Sequence, residues 1–167
     1  NTMNSLDIPG IFFINGSQIS NGHNLYLSRN DIISFSSNNI YFADHSYTHD
    51  QRLHKGENLN YDFTHNQEFF MNNLGYKPIH YALPFGLTSE LYINFLRENG
   101  IKYIYGVNEG IINISTELIS KNIPWYNINA SINFDRFKKI VNGEDKAIRK
   151  KNASSISTVI IDKSNLY

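Results

Sequence analysis

Two histidines four residues apart, in the segment Asp44-His45-Ser46-Tyr47-Thr48-His49, are the residues of this chain best suited to chemistry. On one helical turn, or in a tight loop leading into a helix, that spacing aims both imidazoles at one point. Neutral imidazole nitrogen suits zinc and similar divalent ions. A catalytic ion also needs a third protein ligand and an open position for water, so His45 and His49 alone are an incomplete site. The competing account is a pair of solvated loop histidines, and spacing by itself does not choose between them. A second segment of interest is Pro84-Phe85-Gly86, which follows an apolar run directly. Thiol chemistry is excluded, because none of the 167 residues is cysteine.

The elements around these segments can be read from periodicity. Gly10–Ile14 (GIFFI), 40–43 (IYFA), 79–83 (IHYAL) and 101–105 (IKYIY) read as short buried strands. Helices are expected over 28–39 with Ser28 as N-cap, over 59–74 ended by Gly75, and over 89–99 closed by Gly100. A weak helix over 116–121, a strand over 125–129, a helix from Asn133 to Val141 and a last strand over 157–162 complete the pattern. Strands of four to six residues alternating with helices predict βα units on a mainly parallel sheet. Such sheets place their chemistry at the carboxyl ends of the strands. Both candidate segments fall there, on one rim.

Composition narrows the partners. Lys+Arg and Asp+Glu both count 15, so there is no basic excess of the kind a nucleic-acid binder shows. No apolar run approaches the roughly 20 residues needed to span a bilayer. The start, Asn1-Thr2-Met3-Asn4, has neither the basic region nor the apolar core of a signal peptide, and a mature form or a fragment is expected. Lys146, Arg149, Lys150 and Lys151 read as a solvated basic face. Four Asn-x-Ser triplets, beginning with Asn15-Gly16-Ser17, are expected by chance in so Asn-rich a chain. His54, His65 and His80 have no partner at ligand spacing and read as structural or exposed.

His45-Ser46-Tyr47-Thr48-His49 resembles the His-Ser/Thr-x-x-His motif of the polysaccharide deacetylase family, also known as the NodB homology domain. Upstream, Ile8-Pro9-Gly10-Ile11-Phe12-Phe13-Ile14 resembles the family's "IPATFFV" strand. Downstream, Tyr81-Ala82-Leu83-Pro84-Phe85-Gly86 resembles its "RxPYG" segment, and Gly100-Ile101-Lys102-Tyr103 follows as in its "LLKEAGYKY" stretch. The resemblance covers about residues 6–141. It implies an α/β fold, a distorted or partial (β/α) barrel, with the chain forming a single domain that lacks its first βα unit. It also implies hydrolysis of N-acetyl groups on a sugar polymer, with one divalent metal, most often zinc. On this resemblance His45 and His49 are metal ligands, and the Phe85 backbone N–H helps hold the oxyanion. Tyr47 and Trp125 line the sugar site, and Asp50 is a candidate to orient a ligand histidine. A location outside the cytoplasm, at the cell envelope, follows from the family alone.

The chain departs from the family pattern in three places. The "TFDDG" motif, source of the base and the third ligand, has no counterpart, since no Asp-Asp pair occurs in the sequence. Ala82 stands where the "RxPYG" arginine is expected. No histidine follows His80, so the late Leu-x-His motif is missing, with Asp162 nearest its place. The expectation is therefore a metal-dependent carbohydrate deacetylase whose base and acid are unassigned. The alternatives are a non-catalytic glycan-binding homologue and an O-acetyl sugar esterase.

Overall fold

A computed structural model describes residues 5, 7–22, 25–36, 39–106, 123, 131–142 and 144. Two compact units divide the chain, Asn1–Ile104 and Tyr105–Tyr167. In the first, β1 (Gly10–Ile14), α1 (Gly16–Ser20), α2 (Arg29–Phe35), β2 (Ile40–Asp44), a 3-10 turn (Gln51–Lys55) and α3 (Leu59–Leu74) follow one another. Then come β3 (His80–Ala82), a second 3-10 turn (Pro84–Gly86), α4 (Glu90–Glu98) and β4 (Tyr103–Tyr105), whose last residue opens the second unit. In the second unit, Tyr105 and Ile123 form a parallel bridge, and α5 (Phe134–Val141) is capped by the Asn133 side chain.

The sheet order is β1-β2-β3-β4, with β1 to β3 parallel. Sequential order separates this sheet from a doubly wound one, in which the order reverses and helices cover both faces. Right-handed crossovers that always add the next strand on the same side keep their helices on one face, as in a barrel. The structure is thus the α/β, partial-barrel arrangement that the sequence suggests.

Local signals hold at most helix starts. Ser28 and Asp31 form a reciprocal capping box on α2. The Ser89 hydroxyl caps α4, and Gly75 ends α3 in the left-handed conformation. α2 stops at Phe35, short of the expected residue 39, because Ser36 turns to extended backbone (ψ 121°) and only Ile32 is buried to hold the helix. α1 is the helix that periodicity misses, being only five residues long. The weak helix over 116–121, the strands over 125–129 and 157–162, and the basic cluster lie outside the described residues.

α3 is the spine of the first unit. Its Leu59 and Phe63 join one apolar cluster with Leu53, Tyr81, Tyr92 and Leu96. Its Phe69 and Phe70 join another with Ile14, Ile32, Ile40 and Phe42. Between these patches the same helix buries three polar residues, Asp62, Asn66 and Gln67. Buried polar groups persist where they find partners, and these three point to the site.

Candidate metal centre

β2 extends one residue further than its apolar run, because Asp44 is a strand residue and not the start of the polar loop. It pairs with Ile14 on one side and Tyr81 on the other, and its side chain is fully buried. Three donors account for that burial. Ser46 N–H (2.8 Å) and Asn66 Nδ2 (2.6 Å) donate to Oδ1, and Gln67 Nε2 (2.9 Å) donates to Oδ2. Asn66 is oriented by Gly16, whose N–H donates to Asn66 Oδ1 at 2.9 Å, leaving the NH2 group to face Asp44. Burial raises the Asp44 carboxyl to about 7, against the pull of the three donors, with the Asp62 charge adding to the rise.

Beyond Asp44 the chain turns sharply. Ser46 (φ 69°) and His49 (φ 57°) are left-handed, as is Phe85 (φ 55°) at the end of β3. Each non-glycine residue there costs about 1–2 kcal/mol. Strain of this kind persists only where surrounding contacts over-determine it, and Asp62 supplies them. Its carboxylate accepts from Tyr47 N–H (2.9 Å), Thr48 N–H (2.8 Å) and the Thr48 hydroxyl (2.6 Å). The Ser46 hydroxyl accepts from His49 N–H at 2.8 Å. From the β1 side, Asn15 Nδ2 donates to the carbonyls of His45 and Ser46, and Ser17 donates to the Tyr47 carbonyl through both its N–H and its hydroxyl. Asn15 and Ser17, read in the sequence only as a chance glycosylation triplet, are clamps on the histidine turn. Gly16 between them leaves room for that clamp: a Cβ there would stand 2.5 Å from Asn66 Oδ1 and 2.9 Å from a Tyr47 ring carbon.

The result is a convergent imidazole pair in a tight loop, not on a helical turn. His45 Nε2 and His49 Nε2 are 3.1 Å apart. His45 Nδ1 lies 2.9 Å from the Ala82 carbonyl, which only accepts, so Nδ1 carries the proton and Nε2 keeps its lone pair. Burial pushes both imidazoles below their usual range, which favours the neutral, ligating form. A backbone carbonyl on the remote ring nitrogen is the usual support for a metal-bound histidine. The donor set therefore fits one half of a zinc-type site. Among the described residues no group of three His, Cys, Asp or Glu side chains is placed to complete it.

The other expected site residues are placed as follows. Phe85 lies on the same rim, tied by Gly86 N–H to the Leu83 carbonyl and Leu87 N–H to the Pro84 carbonyl. Its ring sits 4.4 Å from the His49 ring. Tyr47 lies within the turn. Asp50 does not reach a histidine by any hydrogen bond shown: it caps the 3-10 turn and is bound by Arg52, which holds its carboxyl down at about 2. Trp125 and Asp162 lie outside the described residues.

A family model of polysaccharide deacetylases matches residues 1–104. No curated protein matches the chain. Among solved structures, a de-N-acetylase from Aggregatibacter actinomycetemcomitans superposes with a TM-score of 0.70 at 14% identity, over 83% of this chain and 67% of its own. The Streptococcus pyogenes deacetylase PplD, solved with acetate, gives 0.73 at 14% identity, over 83% and 61%. A CE4 family pseudoenzyme from Bacillus anthracis gives 0.51 at 16% identity, over 61% and 34%. The chain thus spans about two thirds or less of the length of each of these proteins. With a family model covering well over half its length, the chain belongs to the polysaccharide deacetylase family.

Proposed function

We propose that the protein is a metal-dependent carbohydrate deacetylase that removes N-acetyl groups from a sugar polymer. The observation that carries this reading is the pair of Nε2 atoms 3.1 Å apart at the carboxyl end of β2, one of them freed for ligation by the Ala82 carbonyl. His45 and His49 hold a divalent ion, most often zinc in this family. When bound, such an ion polarises an acetyl carbonyl and activates water. The Phe85 N–H is the donor for the developing oxyanion, and the Phe85 ring shields the His49 side from water. Tyr47 borders the sugar. The base and the acid are unassigned, as the chain has no Asp-Asp pair and no histidine after His80. Action at the cell envelope fits an acetylated polysaccharide substrate. Among the described residues no helix is long and apolar enough to cross a membrane.

One observation favours a second reading. Ala82 in place of the arginine, with no third ligand among the described residues, suits a glycan-binding homologue that has lost catalysis. Acetate release from N-acetylglucosamine oligomers in the presence of zinc separates the readings. The deacetylase reading expects release that is lost in His45→Ala. Oligomer binding without release would replace it with the binder, and release from O-acetylated sugars alone would replace it with the esterase.

A further inference from the structure

A second ring cluster adjoins the imidazole pair. On the exposed side of α3, Tyr61 and His65 stand one turn apart with ring centroids 3.8 Å apart and planes inclined by 34°. From the histidine turn, Tyr47 reaches the same His65 ring at 5.7 Å. The Tyr61 side chain is 54% exposed. An i, i+4 ring pair by itself stabilises a helix. That accounts for Tyr61 and His65 but not for Tyr47, which joins them from a different element, two residues from each imidazole. The Asp62 carboxylate, which holds the Tyr47 and Thr48 amides, fixes this turn of α3 against the turn that carries His45 and His49.

We propose that the outer face of Tyr61, backed by the His65 ring that Tyr47 also meets, is a stacking platform for one pyranose ring of the glycan, beside the imidazole pair. The proposal rests on the glycan reading above and extends it to residues that take no part in ligation. A pyranose has a polar rim of hydroxyls and two apolar C–H faces. An aromatic ring face covers one C–H face while the rim stays in water, and the phenol group can hydrogen-bond at its edge. The platform is preorganised. His65 Nδ1 donates to the Tyr61 carbonyl at 2.8 Å, which fixes the imidazole. Tyr47 is pinned through its N–H by Asp62 and through its carbonyl by Ser17. Little side-chain freedom remains to be lost on binding.

The position predicts dependence on chain length: a platform beside the reacting sugar serves a neighbouring residue of the polymer. The test is calorimetric binding of N-acetylglucosamine and of its tetramer to the whole protein with zinc present. Tyr61→Ala should weaken the tetramer about tenfold, leave the monosaccharide unchanged, and be rescued in Tyr61→Phe, which keeps the ring. Equal tetramer affinity in wild type and Tyr61→Ala would overturn the platform and leave the glycan reading standing. A wild-type protein that binds neither sugar would overturn both.

Discussion

Replacing Asp62 with alanine should cost about 3 kcal/mol of stability and lower the melting temperature by roughly 10 °C. Asp62 is 1% exposed, and its two oxygens take three donors from the histidine turn. Removing the carboxylate strands the Tyr47 and Thr48 amides, and a hydrogen bond to a charged group is worth about 1.5–3 kcal/mol. It also removes what holds Ser46 and His49 in left-handed backbone, so relief of that strain into other turn geometries offsets part of the loss. Zinc affinity should fall about 10- to 100-fold, the usual cost of losing a group that orients a ligand. Asp62→Asn should fall between the two proteins. One oxygen can still take the Tyr47 amide, but the NH2 group then confronts the Thr48 N–H. Thermal melts and zinc titrations of the three proteins check this. An Asp62→Ala variant with wild-type stability and zinc affinity would show that the turn holds its shape without the carboxylate.

The second large effect is in the pH profile of stability. Asp44 is raised from 3.8 to about 7 in the fold, chiefly by burial. Between those values the unfolded chain has released the proton while the folded one keeps it. The contribution to stability is complete below pH 4 and is lost as the pH rises to 7. A rise from 3.8 to about 7 corresponds to about 4 kcal/mol. His80 acts in the opposite sense. Buried between Tyr103 (4.5 Å) and Tyr41 (5.6 Å), it is depressed by burial from 6.5 to about 4. Its contribution is present above 6.5 and is lost as the pH falls to 4, about 3 kcal/mol. The two slopes largely cancel between pH 4 and 6.5 in the wild type. In Asp44→Asn only the histidine slopes remain, those of His80, His45 and His49 all having the same sign, so stability should climb by at least about 3 kcal/mol from pH 4 to 6.5, whatever the constant cost of the substitution. Urea denaturation at several pH values measures both profiles. Parallel profiles for wild type and variant would contradict the buried, proton-holding Asp44.

The part of this site that local sequence carries is the ligand pair and its address. The His45–His49 spacing and the strand before it place the imidazoles at a sheet rim, and the caps at Ser28, Ser89 and Asn133 fix where helices begin. What local sequence does not carry is the scaffold behind the pair. Asn15, Ser17, Asp62, Asn66 and Gln67 reach the turn or Asp44 across 14 to 31 residues of chain, and no local pattern joins them. One signal was available. Asp62, Asn66 and Gln67 are polar residues at i, i+4 and i+5 on the otherwise apolar buried face of α3, which asks for buried partners. The same logic corrects Asp44, where a carboxylate ends a buried strand because two of its three donors are supplied from α3. It also explains why Asp50, nearer to His49 in sequence, is not the orienting carboxylate: Arg52, two residues on, occupies it.

The central claim is that His45 and His49 hold a metal, and metal content tests it most directly. Plasma mass spectrometry on protein purified without chelators should find about one zinc, cobalt or nickel per chain, and none in His49→Ala. A wild-type protein that stays metal-free after incubation with zinc, or an unchanged stoichiometry in the variant, would contradict the account.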